Sequence, residues 1–141
     1  MIAKQRIGIV GAGMMGHGIA KNLVEKGFPL AVRGHRSRAP IDDLVGRGAT
    51  EVKTNADLAR ASDIVILCVT GAPQVEEVMF GPEGVAGAAR PGTIVVDTST
   101  SEPATTAKMR AALAKQDVRF VDAPLARTPV EAEQGRLNTM V

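Results

Sequence analysis

Short apolar runs alternate with stretches of helical periodicity along most of the chain. Each run has the length of a strand and is bounded by glycine, proline or polar residues. The predicted strands are Arg6–Val10, Pro29–Arg33, Glu51–Lys53, Asp63–Val69, Thr93–Asp97 and Val118–Asp122. The fourth is apolar from Ile64 to Val69, which predicts a strand that is buried on both faces.

Between these runs the sequence predicts five helices. The first carries an apolar face that includes Ile19 and Leu23, and it ends at Gly27. Asn55 stands at the start of the third helix, where its side chain is expected to act as the cap. The predicted helices are Met14–Lys26, Pro40–Gly46, Asn55–Ala61, Pro73–Phe80 and Pro103–Lys115.

Regular alternation of strand and helix predicts right-handed βαβ units and a parallel sheet with helices on both faces. Six strands in two halves fit a Rossmann-type, doubly wound α/β fold of three layers, with the strand order 3-2-1-4-5-6. Residues 1–141 are then one domain. Because Leu137–Val141 has the pattern of a further strand, we expect the natural domain to continue beyond it.

Composition narrows the class of protein. Of 141 residues, 45% are hydrophobic and 23% are charged, a balance typical of a folded globular domain. No apolar run is long enough to cross a bilayer, and a net charge of +2 without Trp or Tyr gives no basic, aromatic face for nucleic acid. A single cysteine and the lack of a secretion signal favour a cytoplasmic protein. The two histidines, His17 and His35, do not predict a metal site, because their predicted positions do not face each other.

A glycine-rich turn, Gly11-Ala12-Gly13-Met14-Met15-Gly16, joins the first strand to the first helix. This G-x-G-x-x-G pattern in that position is typical of a dinucleotide site. Gly11 permits the tight turn, Gly13 lets the backbone approach a pyrophosphate, and Gly16 lets the helix pack closely on the strand. The pyrophosphate would bind free N–H groups at the positive end of the helix. A plain strand-to-helix turn without a ligand is the alternative.

The residues that follow carry a resemblance to a known family. Gly11–Leu23 is similar to the signature G-L-G-x-M-G-x-x-M-[SA]-x-N-L of the β-hydroxyacid dehydrogenases, departing only at Ala12 and Ile19. This family includes 3-hydroxyisobutyrate, tartronate semialdehyde and 6-phosphogluconate dehydrogenases. Further blocks agree in order and spacing, so the resemblance covers essentially the whole chain. These blocks are VMFGPEGV at Val78–Val85, DTST at Asp97–Thr100, VDAP at Val121–Pro124 and AEQGRL at Ala132–Leu137.

The resemblance implies an NAD(P)-dependent oxidoreductase that transfers a hydride between the nicotinamide cofactor and a small hydroxy acid or its semialdehyde. It places cofactor contacts on the glycine-rich turn, on Val69 and Thr70 after the fourth strand, on Gln74, and on Thr100 after the fifth strand. Ligands bind at the carboxyl ends of strands in such sheets, so the strand pattern favours the same positions. As an alternative, Ser99 and Thr100 would cap the following helix. The full-length enzyme is expected to be a homo-oligomer.

One departure from the family pattern concerns the substrate. The family's loop D-A-P-V-S-G-G is replaced by Asp122-Ala-Pro-Leu-Ala126-Arg127-Thr128, which resembles the branch that contains sulfolactaldehyde reductase. A guanidinium at Arg127 suits a carboxylate or a sulfonate, because its planar fork pairs with two anionic oxygens. Ala126, Arg127 and Thr128 are therefore the expected substrate contacts, and an exposed loop arginine is the alternative.

A second departure concerns catalysis. The family's catalytic lysine lies in a G-x-x-G-x-x-x-K motif, and none of the chain's lysines has glycines at that spacing. We therefore expect the chain to bind the cofactor without holding the proton-transfer group. A non-catalytic nucleotide-sensing domain is the alternative function, but it has no need for the block VDAPLART. The blocks DTST and VDAP together disfavour a relative of pyrroline carboxylate reductase.

The end of the second strand favours NADP over NAD. NAD-selective Rossmann domains usually carry an acid about 20 residues beyond the glycines, where it binds the ribose 2′-hydroxyl. Here that place holds Gly34, with Arg33, His35, Arg36 and Ser37 around it. These groups would attract a 2′-phosphate, and Arg36 is the first choice for the contact. The alternatives are a solvated basic loop without a cofactor role, and NAD as the cofactor.

Overall fold

A computed structural model of the chain describes residues 4–11, 13–33, 37–99, 102–125 and 129–136. Six parallel strands form one sheet in the order β3-β2-β1-β4-β5-β6, which confirms the predicted topology. The strands are β1 (Ile7–Val10), β2 (Leu30–Arg33), β3 (Thr50–Val52), β4 (Ile64–Leu67), β5 (Ile94–Asp97) and β6 (Arg119–Asp122). The helices are α1 (Met14–Glu25), α2 (Arg38–Gly46), α3 (Asn55–Arg60), α4 (Ala72–Phe80), α5 (Pro103–Ala114) and α6 (Pro129–Glu133).

Helices cover both faces of the sheet, so the fold has the three predicted layers. The core beneath α1 and α2 contains Ile9 and Val32 from the strands. The core on the opposite face contains Leu67 and Val95, with Met109 from α5 packed on them. β1 and β4 are neighbours at the centre of the sheet, and the chain winds away from them in opposite directions. Their carboxyl ends therefore form the crevice in which such folds bind ligands. Within the described ranges, no helix has the length and apolar character needed to cross a membrane.

β4 is less buried than the sequence predicts. Val65 and Leu67 are fully buried against the core under α4 and α5, whereas Ile64 and Ile66 are only partly buried. The prediction of burial on both faces is therefore only partly correct: Ile66 packs against the core beneath α1 and α2, but that core is built mainly on β1 and β2 and does not enclose it.

The cap of α3 also differs from the prediction. The side-chain oxygen of Thr54 accepts a hydrogen bond from the N–H of Asp57 at 3.0 Å, so Thr54 is the capping residue. Asn55 is the first residue of the helix and is buried. A Thr three residues before an Asp is a capping pattern in its own right, and Thr54 is the cap because α3 already begins at Asn55, one residue earlier than a cap at Asn55 would allow.

The pattern of apolar residues did not predict α6. This helix begins at Pro129, a residue well suited to the first helical position, and has only five residues. It packs against α1, where Gly18 lies so close to Ala132 that a Cβ at Gly18 would stand 2.6 Å from the Ala132 carbonyl carbon. Because so short a helix is unstable alone, its packing against α1 stabilises it.

At the amino edge of the sheet, Asp63 joins β1, β4 and the segment before β5. It accepts hydrogen bonds from the backbone N–H of Arg6 at 2.9 Å, from the Arg6 guanidinium at 3.1 Å and from Arg90 at 3.2 Å. The hydrogen bonds from the side chain and backbone of Arg6 lower the pKa of Asp63 from 3.8 to about 2. The ionised carboxylate therefore stabilises the folded chain.

Asp63→Asn is expected to lower the free energy of unfolding by about 1 kcal/mol at neutral pH, a modest value because the side chains are partly exposed. The folded-state pKa is depressed, so the stabilisation is present above the unfolded value and is lost as pH falls from about 4 to about 2. Urea denaturation of both proteins across this range measures the difference. Glu76→Gln, which removes the exposed pair with Lys108, is the control. A difference that persists unchanged at low pH would contradict the assignment.

Candidate cofactor site

The segments that follow β1, β4, β5 and β6 are held side by side at the carboxyl edge of the sheet. Cys68 donates its backbone N–H to the carbonyl of Val10 at 2.9 Å, and Thr98 donates to Leu67 at 2.8 Å. Ala123 continues the series by donating to Asp97 at 2.8 Å. The glycine-rich turn and the segments beginning at residues 68, 98 and 123 thus share one edge, as the sequence predicts for the site.

Two glycines of the turn are required by close backbone contacts. Gly11 has a φ of +97°, and a Cβ there would lie 2.0 Å from the carbonyl oxygen of Cys68. A Cβ on Gly16 would lie 1.7 Å from the carbonyl oxygen of Gly11. The start of α1 therefore lies directly on the turn, and any side chain at either position would separate them.

Gly13 is different, because it faces open space. It occupies the N-cap position of α1 with a φ of −75°, which other residues also adopt, and a Cβ there would meet no atom within 4 Å. The first turn of a helix leaves N–H groups without partners in the helix, and its end carries partial positive charge. The first turn of α1 contains no acidic residue. The geometry around Gly13 therefore suits an anionic group.

The ends of β4 and β5 are locked together by Ser99. Its hydroxyl oxygen accepts a hydrogen bond from the backbone N–H of Val69 at 2.9 Å, and its own N–H donates to the buried carboxylate of Asp97 at 2.9 Å. Ser99 does not occupy the N-cap position of α5, which is Glu102, and the Glu102 side chain makes no capping hydrogen bond; Thr100, the other residue of the capping alternative, lies outside the described residues. Sequence reasoning missed the bridge because its partners lie on different strands.

Thr70 and Gln74 lie at the open end of the same crevice. Thr70 is exposed directly after Val69, and Gln74 is exposed in the first turn of α4. Met15, in the first turn of α1, is half-buried. These side chains are free to contact a ligand that lies across the carboxyl ends of β1 and β4.

At the end of β2, two of the residues predicted to recognise a 2′-phosphate are described. Arg33 is half-buried, and its Nε lies 3.5 Å from the Lys53 carbonyl oxygen, which is a long contact. Ser37 is the exposed N-cap residue of α2 and makes no capping hydrogen bond with its side chain. Both side chains are therefore available to an anion beyond β2.

Arg38, one residue further on, is already engaged. Its guanidinium donates to the two oxygens of Glu51 at 2.5 and 2.9 Å, and to Asp42 at 3.1 Å. Hydrogen bonds with Glu51 and the charge of that carboxylate raise the pKa of Arg38. Two carboxylates thus offset its charge, and it is a poor candidate for a phosphate contact.

Part of the predicted site lies outside the described residues. The segment Ala126–Thr128 separates β6 and Leu125 from α6. The predicted contacts outside the described ranges are Ala12, His35, Arg36, Thr100, Ala126, Arg127 and Thr128, and the predicted further strand at Leu137–Val141 also lies there.

Two other features of the described residues bear on the chemistry. They contain no cluster of three or more His, Cys, Asp or Glu side chains that could hold a metal ion. Burial raises the pKa of the Cys68 thiol, so the thiol stays protonated and adds no negative charge beside the turn. A surface cavity of about 400 Å³ lies between α3 and residues 79–88, with none of the predicted site residues in its lining. Among the described residues, the carboxyl edge combines the first N–H groups of α1 with exposed polar side chains.

Comparison with known proteins gives consistent matches over nearly the whole chain. Residues 6–141 match the family described as the NAD binding domain of 6-phosphogluconate dehydrogenase. The chain is 37% identical over 136 residues to 2-(hydroxymethyl)glutarate dehydrogenase of Eubacterium barkeri, covering 96% of this chain and 45% of that protein. The chain thus spans about half the length of the curated relatives it matches.

Solved structures agree. 3-Hydroxyisobutyrate dehydrogenase from Salmonella typhimurium superposes with a TM-score of 0.90 at 30% identity, over 97% of this chain and 47% of that one. Psf3, solved in complex with NADP+ and 2-OPP, superposes with a TM-score of 0.86 at 31% identity, over 94% of this chain and 47% of that one. These matches confirm the predicted fold and the resemblance of the sequence motifs to the family.

Proposed function

Because the chain belongs to the family of the NAD-binding domain of 6-phosphogluconate dehydrogenase, we propose that it is the NADP-binding domain of a β-hydroxyacid dehydrogenase. A nicotinamide dinucleotide is the cofactor class of such domains. The whole protein would interconvert a small anionic 3-hydroxy acid and its semialdehyde, as a cytoplasmic homo-oligomer. Residues 1–141 would supply the cofactor site.

The observation that carries this proposal is the contrast among the three glycines of the turn. The space where a side chain would stand is occupied by neighbouring backbone at Gly11 and Gly16. At Gly13 this space is open, and it lies above the first N–H groups of α1. A turn that served only to connect a strand to a helix would need the first two features and not the third. The open position is where the pyrophosphate of a dinucleotide would bind.

The chain's own residues would orient the cofactor rather than react. The nicotinamide ring, when bound, supplies or accepts the hydride. The start of α1 would hold the pyrophosphate, while Val69, Thr70, Gln74 and Thr100 would line the path toward the nicotinamide end. The hydrogen bonds of Ser99 fix the relative positions of two of these segments. Such positioning is what a dinucleotide domain contributes to hydride transfer.

The substrate class rests on the segment Ala126–Thr128, which follows the carboxyl end of β6. Arg127 would pair with a carboxylate or sulfonate of the substrate, and Ala126 and Thr128 would lie on either side. β6, which precedes this segment in the chain, ends at the same sheet edge as the glycine-rich turn, because Ala123 is hydrogen-bonded to the end of β5. A substrate bound there would meet the cofactor at the crevice.

The 141-residue chain is expected to bind NADPH without catalysing turnover, because no lysine in it has the family's catalytic spacing. Isothermal titration with NADPH measures binding. Steady-state assays of nicotinamide absorbance with 3-hydroxyisobutyrate or its semialdehyde should show no reaction above background.

Three results would contradict the proposal. Failure of both NADPH and NADH to bind a folded chain would remove the cofactor role. Turnover by the chain alone that disappears on a substitution within it would show that the proton-transfer group lies inside these residues. A full-length protein that binds the cofactor but reduces no semialdehyde would favour the nucleotide-sensing alternative.

A further inference from the structure

His17 lies between two carboxylates from different helices. Its Nδ1 is 2.6 Å from Oε1 of Glu133 on α6, and its Nε2 is 2.7 Å from Oδ2 of Asp43 on α2. A neutral imidazole has one N–H donor and one nitrogen lone pair, so it would turn that lone pair toward one of the carboxylates. The imidazolium donates to both. The geometry therefore favours a proton on each ring nitrogen.

The charges around this ring lead to the same conclusion. Lys21 Nζ lies 2.5 Å from Oε2 of Glu133. Arg47 donates to Asp43 at 3.0 Å and to Glu25 at 2.8 Å. Three carboxylates thus face two permanent cations, and a proton on the imidazole makes the set neutral. We call these five residues, together with His17, the His17 cluster.

The environment favours the protonated form of the ring. Burial lowers the pKa of His17, but hydrogen bonds to Glu133 and Asp43 and the charges of both carboxylates outweigh it and raise the pKa above 6.5. Hydrogen bonds from Lys21 and His17 hold the pKa of Glu133 below its ordinary value. Those from His17 and Arg47 do the same for Asp43. Both carboxylates are therefore ionised at neutral pH, and the raised pKa of His17 favours its ion pairs with them.

Besides the Lys21–Glu133 ion pair and the contacts of His17, α6 is attached to α1 by neutral hydrogen bonds. Asn22 donates from its side-chain amide to the carbonyls of Ala132 at 2.9 Å and Glu133 at 3.2 Å. These bonds hold the end of α6, while the close approach of Gly18 to Ala132 fixes the distance between the helices. The contacts of His17 are the part of this interface that depends on pH.

We propose that His17, as an imidazolium, is a positioning residue that fastens α6 to α1 and α2, so that protonation of one side chain sets how firmly α6 is docked beside the glycine-rich turn. Docking is strongest below the unfolded-state pKa of 6.5, and its contribution is lost as pH rises through the higher folded-state pKa. The proposed substrate contacts Ala126–Thr128 directly precede α6 in the chain. An effect of docking on substrate binding would rest on the proposed function, whereas the docking itself does not.

Hydrogen exchange of α6 amides tests the docking in the 141-residue chain. Useful reporters are the N–H groups of Gln134 and Gly135, which donate to carbonyls within α6. After correction for intrinsic exchange, their protection in the wild type should fall about tenfold between about pH 6 and about pH 8.5. His17→Gln should show the low protection at both pH values. The amide of Gln116, at the end of α5, is the internal control and should not respond to the substitution.

His17→Lys shows whether the docking of α6 needs only a positive charge at this position, and whether the pH dependence comes from titration of the imidazole. Lysine stays charged over this range, so α6 should remain protected at both pH values. In an NMR titration, the imidazole resonance that is missing from His17→Gln belongs to His17. The midpoint pH of this resonance should be lower in Glu133→Gln than in the wild type. This measurement still tests the proposal if one of the His17 variants fails to fold. Protection in the wild type that does not change with pH, or a titration unaffected by Glu133→Gln, would overturn the proposal.

Discussion

Gly13→Val is expected to abolish detectable binding of NADPH while leaving the fold of the chain intact. The backbone at Gly13 has a φ that valine adopts, and an added Cβ would meet no protein atom within 4 Å. It would instead occupy the space above the first N–H groups of α1, where the pyrophosphate would bind. We expect affinity to fall at least about 100-fold, equivalent to about 2.8 kcal/mol.

Calorimetric titration with NADPH, together with thermal unfolding of each variant, measures both parts of this expectation. Gly87→Val is the matched control, because Gly87 is also exposed, has no atom within 4 Å of an added Cβ, and lies away from the turn. Gly16 is unsuitable for this test, since its Cβ would collide with the Gly11 carbonyl oxygen and disturb the fold itself. If Gly13→Val bound NADPH as the wild type does, the pyrophosphate could not lie at this turn.

The fold could be predicted because most of the strands are short apolar runs, β3 being the exception, and the longer helices have a helical period. Thr93–Asp97 was predicted as a strand and Ile94–Asp97 is one; Pro103–Lys115 was predicted as a helix and Pro103–Ala114 is one. When six strands alternate with helices, each connection between parallel strands is a right-handed crossover. This rule leaves few possible strand orders, and the observed order is one of them. The glycine-rich turn was found in the same way, because its chemistry is local in the sequence.

Features that depend on distant partners could not be predicted. Residues 129–133 are too few to show a helical period, and α6 forms because α1 offers a surface for it. The carboxylates that bind His17 stand 26 and 116 positions away from it, so no local pattern connects them. The block AEQGRL marked Glu133 as part of a family motif, but its partner His17 became visible only in the folded chain.

Arg33 and Arg36 are expected to make NADPH bind about 10- to 100-fold more tightly than NADH, the range that charged hydrogen bonds to a 2′-phosphate would give. Arg33 has one long contact with the backbone, and the first turn of α2 contains no acidic residue. Arg38 has the same charge in the same segment, but its guanidinium is engaged by Glu51 and Asp42. It is therefore the matched control for both.

Titration of the chain and its variants with each cofactor, at low and at moderate salt, decides this preference. Arg36→Ala is expected to remove most of the preference and Arg33→Ala part of it, with NADH affinity unchanged, because NADH lacks the phosphate that these cations would bind. Arg38→Ala should leave the ratio of the two affinities within about twofold of the wild-type value, since an arginine paired with carboxylates adds little attraction. Added salt should weaken NADPH binding more than NADH binding, because it screens the phosphate from the guanidinium groups. Equal affinities in the wild type, or tighter binding of NADH, would reject NADP selectivity and return the basic residues after β2 to the role of a solvated loop.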